Sequence, residues 1–155
     1  MLAQPTKGIN IVLKRFENMK FTCEFKYDGL RGQIHYHDGK CTIFSRNLEN
    51  LTEQYPDIVD FILSGAKEDV KSFIIDSEIV AINPVTQKIL PFQKLATRGR
   101  KNVDKNAIEI NVCLYVFDIL YFNGEPLTHA PLKERRKYLY EHFKEVFNRF
   151  IFLIL

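Results

Sequence analysis

The sequence has no tryptophan, only three cysteines and no apolar run long enough to cross a membrane. A membrane-spanning helix needs about 20 apolar residues, whereas the strongest apolar stretch, residues 150–155, predicts a buried strand that is cut short. Nothing at the N-terminus resembles a secretory signal, and we expect no membrane contact. Cys23, Cys41 and Cys113 lie far apart and form neither a disulfide framework nor a CxxC metal pair. We expect three reduced core thiols in an intracellular protein.

Glycine is also scarce, with seven residues, and neither the P-loop nor the dinucleotide-binding fingerprint is present. Any nucleotide site therefore needs another architecture. The formal net charge is only +3, but basic residues are clustered. The clusters are Arg98, Arg100 and Lys101, and then Lys133, Arg135, Arg136 and Lys137. Such clusters can contact phosphates or simply be solvated, and charge alone does not decide between the two.

The length of 155 residues and the hydrophobic share of 46% predict one globular domain with a substantial core. Strand patterns fall at residues 21–26, 33–37, 41–44, 72–82 and 111–122. Helical spacing falls near residues 9–16, 55–62, 92–97 and 131–143. Asp38 with Gly39, and Asn123 with Gly124, are hairpin-turn signals. The sequence therefore predicts an α+β fold with a largely antiparallel sheet.

A charged cluster, residues 24–31, stands where a predicted strand meets a turn. An ordinary lysine amine is almost fully protonated at pH 7, so a nucleophilic lysine needs desolvation or nearby positive charge. We expect Lys26, at the end of a buried strand and near Arg31, to have that setting. From these residues alone, an ordinary solvated turn is an equally good interpretation.

Four motifs in order carry a family resemblance. Residues 26–31, KYDGLR, match the KxDGxR signature of covalent nucleotidyltransferases. Residues 44–47 read FSRN, residues 73–81 resemble the third motif of that family, and residues 115–124 resemble its adenine-stacking segment. The chain thus resembles the ATP-dependent DNA ligases over residues 1–150, and within them it is most similar to the eukaryotic DNA ligase I group.

The resemblance implies the architecture. It predicts an α+β, ATP-grasp-like nucleotidyltransferase (adenylation) domain with antiparallel sheets and flanking helices. On this interpretation residues 1–155 are a partial adenylation domain, without the helical DNA-binding domain that precedes it and the C-terminal OB-fold that follows it in the family. A chain of this length is then expected to adenylylate itself inefficiently.

The resemblance also implies the chemistry. The Lys26 amine would attack the α-phosphorus of ATP, release pyrophosphate and form a lysyl-AMP intermediate. The AMP would then pass to the 5′-phosphate of nicked duplex DNA, where the adjacent 3′-hydroxyl displaces it and closes the nick. Mg²⁺ is expected to neutralise charge during each phosphoryl transfer. A nuclear, monomeric enzyme of DNA replication, repair and recombination is the corresponding expectation.

The same resemblance assigns the remaining site residues. Glu24 is expected beside the adenine amino group, and Arg31 and Arg46 at the sugar or the phosphates. Glu78 is expected to bind the ribose or the metal, and Phe117 to stack on adenine.

Several alternatives remain open at this point. An RNA ligase or an mRNA capping guanylyltransferase would use the same lysine chemistry, and a catalytically inactive fragment could bind only nucleotide or nicked DNA. Without the motif, Phe117 would read as one more core residue. His35 and His37 share a face of a predicted strand, but no third ligand is evident, so we expect surface histidines.

Overall fold

The computed structural model describes residues 5–99 and 103–153. The elements in chain order are α1 (Ile9–Arg15), β1 (Leu30–His37), β2 (Lys40–Phe44), α2 (Pro56–Gly65), β3 (Phe73–Ile82), α3 (Gln93–Ala96), a 3-10 turn (Lys105–Ala107), β4 (Asn111–Phe122), β5 (Glu125–Pro126), α4 (Leu132–His142) and β6 (Phe150–Phe152). No helix within these described ranges is both long and apolar enough to span a bilayer. The predicted α+β class is confirmed.

The strands form one sheet in the order β2-β1-β3-β4-β5, and each of these neighbouring pairs is antiparallel. The short β6 adds to β4 in parallel. β3 is central and buried along nearly its whole length. Because both faces of such a strand are covered, residues 73–75 and 79–82 are continuously apolar rather than alternating, and Asp76, Ser77 and Glu78 interrupt the run. The sheet is therefore largely antiparallel, as predicted.

Two tight turns set the hairpin registers. Asp38 and Gly39 have φ of 48° and 74°, and Asn123 and Gly124 have φ of 44° and 98°. Consecutive positive φ values match the twist of the flanking strands, and Asp, Asn and Gly tolerate them best. The Asn123 side chain also accepts a hydrogen bond from the Lys71 backbone N–H at 2.7 Å. Both predicted hairpins are confirmed.

The two longer helices pack against the sheet. α2 begins at Pro56, as predicted, and buries Ile58, Phe61 and Ile62. α4 begins immediately after Pro131, contacts β4 and buries Leu139. α1, by contrast, has no buried residue. The core thus lies between the sheet and the helices α2 and α4.

Residues 20–28 form neither helix nor strand, so the predicted strand at residues 21–26 is wrong. β1, which follows this segment, already pairs with β2 on one side and β3 on the other. Both edges of β1 are therefore occupied, and residues 21–26 cannot pair with this strand. The alternating apolar pattern of residues 21–26 therefore has no partner strand, and most of these residues are exposed.

The cysteines differ in environment. Cys113 is buried and Cys41 is half-buried, whereas Cys23 is exposed on the segment without a strand, so the core prediction fails for Cys23. Burial raises the pKa of the Cys41 thiol to about 11 and that of Cys113 to about 12. Thiols with such pKa values are poor nucleophiles at neutral pH.

Candidate functional site

A pocket of about 260 Å³ opens between the strandless segment 20–28 and the sheet. It is lined by Glu24, Phe25, Lys26, Tyr27, Glu78, Phe117 and Leu153. These residues come from segment 20–28, from β3, from β4 and from the residue just after β6. Four of the six predicted site residues, namely Glu24, Lys26, Glu78 and Phe117, therefore line one cavity.

A row of paired residues crosses three strands beside the pocket, and its middle member, Glu78, lines the cavity. Arg31 on β1 is paired in register with Glu78 on β3, and Glu78 with Tyr115 on β4. The ring of Tyr27 stacks on that of Tyr115 with 4.0 Å between centroids. This stack fixes the strandless segment to the sheet immediately after Lys26.

Gly29 brings the segment close to β3. A Cβ atom at this position would lie 2.4 Å from the carbonyl oxygen of Ile79 and 2.9 Å from Cγ of Glu78. The backbone of Gly29 also forms a hydrogen bond with the Glu78 carboxylate. Glycine is required here because of this close approach to another backbone, not because of its φ angle.

Lys26 lies in the pocket but is solvent-exposed. The sequence predicted it at the end of a buried strand, and the structure has no strand there, so the expected burial of Lys26 is wrong. Its positive charge instead acts on Glu78.

Glu78 is half-buried at the base of the pocket. Burial, helped by the negative charge of Asp28, raises the pKa of its carboxyl group, while the hydrogen bond from Gly29 and the charges of Lys26 and Arg46 oppose this shift. A cation at this position would favour the ionised form. The carboxylate is therefore suited to pairing with a cation.

Arg31 and Arg46 stand beside the pocket rather than in its lining. The Arg31 Nε donates to Oδ1 of the buried Asp76 at 2.8 Å, and Nη2 donates to the other oxygen of the same carboxylate. This fork-shaped pair holds the guanidinium in one orientation while leaving about a third of the side chain exposed. Arg46 is exposed, and its charge reaches Glu78.

Phe117 occupies a β-bulge, which the sequence analysis missed. Ser77 pairs with Val116 and the preceding Asp76 pairs with Asp118, so Phe117 is an extra residue with no partner on β3. Bulges redirect side chains next to functional sites. The half-buried ring of Phe117 lines the pocket instead of filling the core.

Two arginines of the basic run on α4 turn inward. Arg135 forms two hydrogen bonds to the Asp118 carboxylate, at 2.7 and 2.6 Å. Arg136 is buried, donates from Nε to the Phe117 carbonyl at 2.9 Å and forms an ion pair with Glu24. The run is therefore not a uniform phosphate-binding surface. The helical spacing of the sequence could have indicated that Arg136 is buried, because position 136 falls on the same helix face as Leu132 and Leu139.

Arg98 is also structural. It is buried, pairs with Asp57, donates to the Gln54 and Ile110 carbonyls at 2.9 and 3.1 Å, and lies over the Tyr55 ring. For Arg98, both interpretations of its basic cluster, phosphate contact and a solvated side chain, are therefore wrong. Arg100 and Lys101, the rest of that cluster, lie outside the described residues.

Across residues 5–99 and 103–153, no group of three or more His, Cys, Asp or Glu side chains could hold a metal ion by itself. His37 is exposed beside Asp38, and the half-buried His35 contacts Gln33 at 2.9 Å. Mg²⁺ commonly takes one or two carboxylates together with substrate phosphates. Glu78 could supply one such carboxylate.

The fold defines the class of protein. The ligase domain of M. tuberculosis LigD matches with a TM-score of 0.57 and 25% identity, over 75% of this chain and 34% of that chain. A mycobacterial DNA ligase D complexed with ATP and MES matches with a TM-score of 0.59 over 83% of this chain and 38% of that chain, at 20% identity. The described elements therefore have the fold of a ligase nucleotidyltransferase domain.

The sequence then assigns the family. The chain belongs to the ATP dependent DNA ligase domain family, which it matches over residues 1–153. It is 56% identical to DNA ligase 1 of Drosophila melanogaster over 147 residues and 52% identical to DNA ligase 1 of Schizosaccharomyces pombe over 153 residues. These alignments cover 94% and 98% of this chain but 20% of each relative. The chain thus spans about a fifth of the length of these relatives.

Proposed function

We propose that the pocket carries out covalent adenylyl transfer with Lys26 as the nucleophile. The neutral Nζ attacks the α-phosphorus of ATP, a P–N bond forms, the P–O bond to pyrophosphate breaks, and the displaced amine proton passes to solvent. The observation that carries the proposal is the meeting of Lys26, Glu24, Glu78 and Phe117 around one cavity. Membership of the ATP dependent DNA ligase domain family supports it.

The base would lie between the face of Phe117 and the edge of Glu24. Stacking on an aromatic side chain is worth about 1 to 3 kcal/mol per base, and the half-buried Phe117 ring already lines the pocket. The Glu24 carboxylate can only accept hydrogen bonds, which suits an exocyclic amino group such as that of adenine. ATP is therefore the expected nucleotide.

The sugar and the phosphates of the nucleotide would be bound by the charged residues near Lys26. Arg31, held by Asp76, and the exposed Arg46 are available to a sugar hydroxyl or to phosphate oxygens. The Glu78 carboxylate would be a protein ligand of the expected Mg²⁺. Alternatively, it would bind the ribose. A bound Mg²⁺ would neutralise negative charge on the phosphates. Negative phosphates stabilise the protonated amine, so formation of the neutral Nζ would depend on positive charge beside it, such as that of the expected Mg²⁺.

We further propose that this reaction serves ATP-dependent sealing of nicks in duplex DNA through the Lys26–AMP intermediate. The relatives are named DNA ligase 1 and cover almost all of this chain, which supports the assignment. The proposal includes roles in DNA replication, repair and recombination and a nuclear location, and the same relationship supports it. The monomeric state remains a prediction from the sequence.

The test is incubation with Mg²⁺ and α-labelled ATP or GTP, followed by denaturing electrophoresis and mass spectrometry of the labelled peptide. We expect AMP on Lys26, and complete loss of label in Lys26→Arg, because the substituted guanidinium is too basic to attack phosphorus. Lys20→Arg, in the same strandless segment, is the matched control and should label normally. A label that persists in Lys26→Arg, or that forms only with GTP, contradicts the proposal.

A further inference from the structure

Arg136 joins three distant parts of the chain at the base end of the pocket. It belongs to α4, pairs with Glu24 of segment 20–28 and donates from Nε to the Phe117 carbonyl of β4 at 2.9 Å. The residue is only 4% exposed. It lies behind the pocket, whose lining it does not join.

Segment 20–28 needs such a tether because it has no strand or helix to position it. Its link to the sheet after Lys26 is the stack of Tyr27 on Tyr115. On the other side of Lys26 the link is the ion pair between Glu24 and Arg136. The Glu24 carboxylate is thus placed by a side chain of α4.

The second acceptor of Arg136 is equally specific. The Phe117 carbonyl belongs to the bulged residue of β4, which has no partner on β3. A carbonyl released from the ladder needs another donor, and Arg136 Nε provides it. The same guanidinium therefore holds the backbone of the residue whose ring lines the pocket.

The arrangement is better suited to fixing geometry than to stabilising the fold. Nη1 of Arg136 is buried with no hydrogen-bond partner within the described structure. Burying a guanidinium with an unsatisfied nitrogen reduces its stabilising value. Its planar, rigid fork does, however, hold two acceptors at a constant distance and angle.

We propose that Arg136 is a positioning residue for purine recognition, setting the Glu24 carboxylate relative to the Phe117 ring. The edge and the face of a bound base would then be read by two groups that one guanidinium holds together. Arg136 engages Oε1 of Glu24, and a carboxylate has a second oxygen that can accept from a 6-amino group. This inference rests on the proposed nucleotide site and adds the device that selects a 6-aminopurine.

Arg135 offers an internal control. It is the neighbouring residue on α4 and also ties the helix to β4, through two hydrogen bonds to Asp118. Within the described part of the chain it forms no hydrogen bond or ion pair with Glu24 or Phe117, and it does not line the pocket. A purely structural role of helix anchoring is therefore shared by both arginines, whereas the tether to the pocket belongs to Arg136.

The experiment measures equilibrium binding of AMP and IMP by calorimetry, in the wild type, Arg136→Lys, Arg135→Lys, Glu24→Ala and the double variant Glu24→Ala/Arg136→Lys. IMP carries a carbonyl oxygen where AMP has the amino group, so the Glu24 carboxylate should reject it. We expect Arg136→Lys to weaken AMP binding about 10-fold and to bring the AMP-to-IMP preference close to one. Arg135→Lys should change neither by more than about 2-fold, because the partner of Arg135 is Asp118 and not a residue of the pocket lining. The double variant should lose less than the sum of the two single variants, because both single changes break the ion pair between Arg136 and Glu24.

Arg136→Lys that folds and retains the wild-type AMP-to-IMP preference overturns the inference, as does an equal loss in Arg135→Lys. If Arg136→Lys does not fold, NMR of the wild-type Arg136 Nε–H signal decides the matter. A shift with AMP that is absent with IMP supports positioning, and no shift with either overturns it.

The proposed function is judged separately by AMP labelling of Lys26. Labelling without any Arg136-dependent base preference overturns the inference alone. Base preference through Arg136 without labelling overturns the covalent reaction alone, and a wild type that neither binds nor labels overturns both.

Discussion

Gly29 shows how a single residue shapes the pocket. Its missing side chain lets segment 20–28 approach the β3 backbone until a Cβ would be 2.4 Å from the Ile79 carbonyl oxygen. Backbone atoms of a central strand cannot move aside easily. The closeness of Lys26 to Glu78 therefore depends on glycine at position 29.

We expect Gly29→Ala to destabilise the protein by about 1 to 3 kcal/mol, as other overpacking substitutions do. Chemical denaturation followed by circular dichroism measures this change. Gly39→Asn is the control, because Gly39 has φ of +74°, which asparagine tolerates, and no atom lies within 4 Å of a Cβ there. Equal effects at the two positions would contradict the close packing of Gly29.

Glu78 gives a pH-dependent prediction. Burial raises its pKa above the ordinary value of 4.5, so the folded state binds this proton more tightly than the unfolded chain. The resulting stabilisation is complete below pH 4.5 and is lost as the pH rises through the folded-state pKa. Glu78→Gln, which stays neutral, should therefore gain stability relative to the wild type as the pH is raised from 4 to 7.

Urea denaturation at several pH values tests this dependence, without nucleotide or metal. Glu68→Gln, at an exposed position, is the matched control and should show a smaller change with pH. A relative stability of Glu78→Gln that falls toward neutral pH would show that the site favours the carboxylate. The nearby charges of Lys26 and Arg46 would then outweigh burial.

At the scale of elements, Arg98 connects the start of α2 to the segment before β4. Its guanidinium pairs with Asp57 of α2 and donates to the carbonyls of Gln54 and Ile110, which belong to segments outside any helix or strand. Because these two carbonyls lie outside any β-sheet, no backbone N–H of a neighbouring strand can replace the Arg98 guanidinium as donor. The arginine thus substitutes for regular hydrogen bonding between separate elements.

We expect Arg98→Ala to cost about 3 to 5 kcal/mol, since it leaves the Asp57 carboxylate buried without its partner. Lys105→Ala is the matched control: its pair with Asp60 is exposed, and such pairs contribute about 0 to 1 kcal/mol. Thermal or chemical unfolding of the two variants measures the difference. Similar losses in both would mean that Arg98 is not the connector described.

At the scale of the whole molecule, β6 links the core to the pocket. Phe150 is fully buried, pairs in register with Leu114 of β4 and packs near the ring of Phe143. Leu153, which follows β6, lines the pocket. Loosening this strand should therefore affect both stability and nucleotide binding.

Phe150→Ala should lower the free energy of unfolding by about 3 to 5 kcal/mol, because it removes a large buried side chain and leaves a cavity. The same variant should bind AMP more weakly at temperatures where it remains folded. Phe147→Ala, at a position that is 77% exposed, should change stability by less than about 0.5 kcal/mol. If folded Phe150→Ala binds AMP with unchanged affinity, the packing of β6 in the core does not influence the pocket.

Local patterns were sufficient for much of the fold. β3 and β4 follow from long apolar runs, the hairpins from Asp38-Gly39 and Asn123-Gly124, and α2 from helical spacing behind Tyr55. Each of these signals acts within a few residues, through φ preferences, periodicity and turn chemistry. The family could also be recognised from the sequence, because each of its motifs is a short run of consecutive residues.

The sequence by itself determined the types of the paired strands and of the two longer helices, the two hairpin turns and the residues available to the site. Tertiary structure alone decided that residues 21–26 form no strand, that Phe117 sits in a bulge, and that Arg98 and Arg136 are buried. The physical reason is that each of these depends on partners distant in sequence. A strand forms only where a neighbouring strand has a free edge, and a bulge is defined only by the register with its partner strand. A charged side chain is buried only where the fold places an oppositely charged or hydrogen-bonding partner beside it.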